Sequence, residues 1–153
     1  MGKLLIVYDS ISGNTERMAK FIAEGARKKL SDVTLKKVDE VFEKDLVEAD
    51  AIAFGCPTYH RGLTSTMKSF FETRVVKVKS SLKGKVGTAF GAYGWRDDAI
   101  QLMMETLKYL NMKVLDLDQG STGTPDEDLY IMSLSEIREK SLKFGEDLAK
   151  TIV

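Results

Sequence analysis

The chain has 153 residues, enough for one domain (1–153) with a proper core and no need of disulfides or metals. Lys+Arg total 23 and Asp+Glu total 23, a formal net charge of zero, so no global basic field invites nucleic acid or an anionic membrane. The single cysteine, Cys56, excludes an intrachain disulfide and a multi-cysteine metal cluster, and fits a reducing compartment such as the cytoplasm.

Lys3 to Tyr8 is a near-continuous apolar run, the pattern of a strand covered on both faces. It is too short for a signal-peptide core or a membrane span, and Asp9 follows at once. A polar turn, Asp9-Ser10-Ile11-Ser12-Gly13-Asn14-Thr15, leads into a helix whose apolar residues Met18, Ile22, Ala26 and Leu30 recur every four positions. Val33 to Val38 reads as a second strand and Phe42 to Ala49 as a short helix. Ala51 to Phe54 is a third strand, followed by Gly55-Cys56-Pro57-Thr58. Leu63, Met67, Phe70 and Phe71 mark a helix, Lys85 to Phe90 a fourth strand, and Gly91-Ala92-Tyr93-Gly94-Trp95 a loop. Ala99, Met103, Leu107 and Leu110 mark another helix, Lys113 to Leu117 a fifth strand, and Leu134 to Ile152 the last helix.

This alternation predicts an α/β protein: a doubly wound, five-stranded parallel sheet between two layers of helices. Ligands of such sheets bind at the carboxyl edge, where the strand order reverses. The chain places its unusual residues there, in the loops after strands one, three and four. In a sheet wound 2-1-3-4-5 the reversal lies between strands one and three, so the first two loops flank one crevice.

Ser10, Ser12, Asn14 and Thr15 put three hydroxyls and an amide within six residues, Gly13 lets the backbone turn tightly, and a helix opens directly behind them. The unsatisfied N–H groups of a helix N-terminus favour an anion. With no Lys or Arg inside, the loop suits a nucleotide monophosphate held by neutral donors. A Walker A loop needs a lysine, and G-x-G-x-x-G needs glycines, that are absent here. Helix capping alone explains one such residue, not four and a glycine.

Tyr59, Tyr93 and Trp95 are large aromatics in loops, off any core periodicity, and frame a pocket for a flat ligand; packing beneath the loops is the plainer alternative. Cys56 and Arg61 do not make a cysteine-phosphatase loop, because only four residues separate them and Pro57 removes a backbone donor. Asp9 is not a response-regulator phosphoacceptor, since Gly55-Cys56 stand at the end of strand three. Asp126-Glu127-Asp128 read as a solvated loop, with a docking patch for a cationic partner as the functional alternative.

Ser10-Ile11-Ser12-Gly13-Asn14-Thr15 resembles the [ST]-x-[ST]-G-N-T phosphate loop of flavodoxins, and sits after the first strand as it does there. Pro57-Thr58-Tyr59-His60-Arg61-Gly62 resembles the second flavin mononucleotide (FMN) loop of the flavodoxin-like superfamily, and Ala92-Tyr93-Gly94-Trp95 the third. The likeness is strongest to the flavodoxin domain of flavodiiron proteins, here standing alone as a short-chain form with no insertion in the fifth strand. It implies the flavodoxin-like fold with order 2-1-3-4-5, FMN as cofactor, and these sixteen residues around it.

The resemblance further implies an electron carrier taking electrons from a ferredoxin, a flavin reductase or a similar redox protein, as a monomer or weak homo-oligomer. The same fold also serves NAD(P)H-dependent quinone or flavin reductases, and a non-redox nucleotide-binding module is a third possibility. No residue is assigned as catalytic. In flavodoxins a loop peptide, often at Gly or Asn, flips to meet the reduced flavin; His60 and Gly62 are the positions here that tolerate such a conformation, Gly more easily. Arg61 and Arg96 are expected near the ring, where a cation favours the anionic reduced flavin.

Overall fold

The computed structural model describes residues 2–93, 96–117 and 134–153. The elements follow one another as β1 (Lys3–Tyr8), α1 (Asn14–Ala26), β2 (Asp32–Lys37), α2 (Glu43–Glu48), β3 (Ala51–Gly55), α3 (Ser65–Phe70), α4 (Lys79–Leu82), β4 (Val86–Phe90), α5 (Asp98–Tyr109), β5 (Lys113–Val114) and α6 (Leu134–Lys150). The five strands form one parallel sheet in the order β2-β1-β3-β4-β5. The order reverses between β1 and β3, as expected.

The unbroken apolar run of β1 is explained by its two buried faces. Alternate side chains point to opposite sides of a strand. Leu4, Ile6 and Tyr8 therefore pack with Met18, Ile22, Phe144 and Leu148 of α1 and α6. Leu5 and Val7 join Leu46, Phe54, Met67 and Met103 beneath α2, α3 and α5. On that second side Phe54 and Phe71 stand 5.0 Å apart by ring centroids.

α1 and α6 meet backbone to backbone. A Cβ on Gly25 would lie 2.0 Å from the Leu142 carbonyl oxygen, and one on Gly145 2.0 Å from the Ile22 carbonyl oxygen. Only glycine lets the two axes approach so closely. The helix that begins at the first loop is thus held by the last helix of the chain.

Three features differ from the sequence reading. β5 pairs over Lys113–Val114 only, while Leu115 and Leu117 still pack on the sheet as irregular backbone. Leu63 precedes its helix rather than lying in it. The helical path also continues beyond Phe70 through a π turn, Phe71–Val75, and a 3₁₀ turn, Val76–Val78, into α4. Gly94, Trp95, Pro125 and Asp126-Glu127-Asp128 lie outside the described residues.

Candidate functional site

The site lies at the carboxyl edge of β1, β3 and β4. Loop 1 runs from Asp9 into α1. Gly13 has φ +95°, left-handed backbone that glycine adopts at little cost, and no heavy atom lies within 4 Å of the position a Cβ would take. Its N–H donates to the Ser10 hydroxyl at 3.1 Å, closing the turn, and its carbonyl accepts Arg17 N–H at 3.0 Å as the first bond of α1. Gly13 is the cap residue, and no side chain caps the helix; Asn14 Oδ1 instead accepts Arg17 Nη1 at 3.2 Å. Capping therefore does not account for the hydroxyl and amide groups of this loop. Ile11 stands 66% exposed at its tip, beside exposed Ser12.

Loop 2 continues the β3–β4 ladder: Cys56 N–H donates to Phe90 O at 3.1 Å and Thr58 N–H to Ala92 O at 3.0 Å. Pro57 is buried within it. Tyr59 and Gly62 then exchange two backbone hydrogen bonds, of 3.1 and 2.9 Å, across a tight hairpin. The two residues at its tip, His60 and Arg61, have φ of +48° and +62°. Two consecutive positive φ values are the signature of a type I′ turn, which usually takes Asn-Gly. His and Arg there carry a strain of about 1–2 kcal/mol each. Gly62 was the more tolerant candidate by residue type, yet the left-handed positions are His60 and Arg61.

Loop 3 closes against the other two. The Thr15 hydroxyl, almost fully buried, accepts Ala92 N–H at 3.2 Å, and the Thr58 hydroxyl accepts Ala99 N–H, at the head of α5, at 3.1 Å. Each threonine keeps its own O–H to donate elsewhere. Tyr93 is half-buried against the core beneath α5. Asp98, the first residue of α5, lies 3.5 Å from Arg61 Nε and 3.1 Å from Arg96 Nη2, so one carboxylate holds the two arginines expected near the ring. A carboxylate in a first helical turn also gains from the helix dipole.

Between loops 1 and 2 lies an open cleft of about 520 Å³, lined among others by Asp9, Ile11, Tyr59, His60, Leu63 and Thr64. Asp9 and Thr64 were not singled out as site residues from the sequence. Asp9 is 7% exposed, and its carboxylate accepts Ser10 N–H at 3.0 Å and the Thr64 hydroxyl at 2.5 Å. Cys56 is wholly buried beside them, accepting Thr64 N–H at 3.4 Å; burial pushes its thiol pKa up, which leaves it a poor nucleophile.

The donor set fits an anionic nucleotide. Loop 1 gathers hydroxyls, a side-chain amide and the first-turn N–H groups of α1 within one turn, the space beside Gly13 is open, and the neighbouring cleft has one apolar and aromatic rim, Ile11 and Tyr59. A doubly wound sheet with such an edge defines a nucleotide-binding α/β protein of the three-loop kind.

The comparisons carry this further. The sequence profile described as Flavodoxin matches residues 6–141. A flavodoxin of Aquifex aeolicus is 43% identical over 96 residues, 61% of this chain and 51% of that protein. The flavo-diiron protein FprA2 of Clostridium acetobutylicum is 33% identical over 153 residues, 96% of this chain and 36% of that protein. The chain thus spans about half the length of the first relative and about a third of the second. A solved flavodoxin from the domain Archaea superposes with a TM-score of 0.79 at 30% identity, covering 97% of both chains. This chain belongs to the flavodoxin family, the FMN-binding electron-transfer proteins, with likeness to the flavodoxin part of flavodiiron proteins.

Proposed function

We propose that this chain is an FMN-dependent electron carrier that passes electrons between redox proteins, a ferredoxin or flavin reductase among them, in the cytoplasm. The observation that carries the reading is the convergence of three cross-bonded loops at the switch point, with the head of α1 at one end and an open, aromatic-rimmed cleft at the other. Ser10, Ser12, Asn14, Thr15 and the backbone at Gly13 would hold the phosphate. Ile11, Pro57, Thr58, Tyr59, His60, Arg61, Gly62, Ala92 and Tyr93 would surround the ring, with Gly94 and Trp95 added from the sequence pattern. FMN, when bound, supplies the one- and two-electron chemistry. The protein's part is to bind the phosphate, orient the ring, and place Arg61 and Asp98 where they bias its charge.

Exposed Tyr59, His60 and Arg61 leave the rim open, which suits a small, transient docking contact. The lone cysteine, buried Cys56, supports a reducing compartment. Among the described residues no helix is long and apolar enough to cross a membrane.

The test is the visible spectrum of the purified protein, identification of the released flavin, and separate titrations with dithionite and NADPH. Two flavin bands from FMN and slow reduction by NADPH support a carrier. Rapid bleaching by NADPH alone makes it a reductase, and a colourless protein that excess FMN does not colour ends the reading.

A further inference from the structure

One chain of hydrogen bonds crosses the site from end to end. Gly13 N–H donates to Ser10 Oγ at 3.1 Å, and Ser10 N–H to Asp9 Oδ1 at 3.0 Å. From the other side Met67 N–H donates to Thr64 Oγ1 at 3.2 Å, and the Thr64 O–H to Asp9 Oδ2 at 2.5 Å. Asp9 is the middle link. Its own N–H is spent on the sheet, donating to Gly55 O at 2.9 Å.

The two ends of this chain do different work. Gly13 and Ser10 shape the anion-binding turn at the head of α1. Thr64 caps α3, the helix that carries the ring loop away, and lies two residues beyond the Tyr59–Gly62 hairpin. Asp9 and Thr64 also line the cleft between the loops, so the link runs along its wall. The Asp9 carboxyl group accepts from both sides, and in a nearly dry position the loss of either partner is costly.

We infer that Asp9 is a positioning residue that couples the two halves of the site, so that filling the anion position strengthens binding of the flavin ring and the reverse. The inference rests on the FMN reading above. Fixing Ser10 and Gly13 around an anion fixes the Asp9 carboxylate. That in turn holds Thr64 and the ring loop, so the ordering cost is met once rather than twice. Linkage requires the effect to be reciprocal. A strap with a purely structural role would change stability and leave the coupling untouched.

The experiment uses the protein stripped of FMN, with riboflavin and inorganic phosphate as separate probes, followed by flavin fluorescence and calorimetry. In the wild type, phosphate should raise riboflavin affinity by a factor on the order of 5–150, and riboflavin should raise phosphate affinity by the same factor. Asp9→Ala and Thr64→Val should each bring that factor towards one, while Thr64→Ser, which keeps the hydroxyl, should retain it. A factor of one in the wild type, or a factor undiminished in both variants, overturns the coupling. Wild-type FMN binding is measured in parallel: if FMN binds, such a result falls on the coupling alone, and if no flavin binds at all both readings fall.

Discussion

The Thr15 hydroxyl accepts Ala92 N–H at 3.2 Å across 77 residues of chain, and thereby joins loop 1 to loop 3. With its acceptor side occupied, the hydroxyl has its proton left to give to an anion beside α1. Thr15→Val should leave the Ala92 amide buried without a partner, at about 1–3 kcal/mol. FMN affinity should fall by roughly tenfold or more, since about 1.4 kcal/mol is a factor of ten. Thr15→Ser should restore most of it. Equal FMN affinity for Thr15→Val and wild type would refute this role.

Gly13 and Gly145 make opposite demands. Nothing lies near the missing Cβ of Gly13, so Gly13→Ala should cost only the left-handed backbone strain, about 1–2 kcal/mol. Gly145→Ala meets the backbone of α1 and must push two helices apart, at about 1–3 kcal/mol or more. Denaturant midpoints of the two variants check this. A Gly145→Ala protein as stable as wild type would show that the α1–α6 contact is looser than described.

Arg61 and Asp98 should tune the flavin in opposite directions. Removing the Arg61 cation takes away support for the anionic reduced flavin, so Arg61→Ala should lower the potential of the second electron. One unit charge at about 4 Å in water is worth about 1 kcal/mol, or on the order of 40 mV for one electron. Asp98 lies 3.5 Å from Arg61 and 3.1 Å from Arg96, so Asp98→Asn should raise the potential. Spectroelectrochemical titration measures both, and an unchanged pair of potentials in Arg61→Ala would discard the idea.

Alkaline pH should weaken the fold in two steps. Burial pushes the Cys56 thiol above its ordinary value of 9.0. Burial first, and then the hydrogen bond to Glu16, push Tyr8 from 10.0 up to about 12. In both cases the folded chain keeps a proton that the unfolded chain releases, so stability is whole below the ordinary value and declines as pH rises past it. The Tyr8 part should be lost between pH 10 and 12. Urea denaturation at stepped pH should show a shallower decline there for Tyr8→Phe; identical slopes would contradict it.

Much of this was legible in the residues because two independent signals agreed. Apolar runs marked the buried strands, and Leu4/Ile6 against Leu5/Val7 divide between the two faces just as a covered strand requires. The Ser/Gly/Asn/Thr turn marked the carboxyl edge of the sheet, where the strand order reverses. What escaped had no local signature. His60 and Arg61 are held left-handed by the Tyr59–Gly62 hydrogen bonds, against their own preference. Asp9 read as the polar end of a strand, because its partner Thr64 lies 55 residues away. A buried acidic residue ending an apolar strand, with a threonine capping the helix after the second loop, was the available clue. Val76–Val78 and the π turn before it carry β-branched residues that disguise a helical path.

The glycine contact between α1 and α6 bears on the order of events in a cell. The turn before α1 leaves the ribosome long before α6 does, yet the helix behind it is seated against Leu142 and Gly145 of α6. A nascent chain therefore carries the whole of loop 1 long before it can align it. Alignment of that loop waits on α6, so a chain that holds a flavin is one whose synthesis has run past α6.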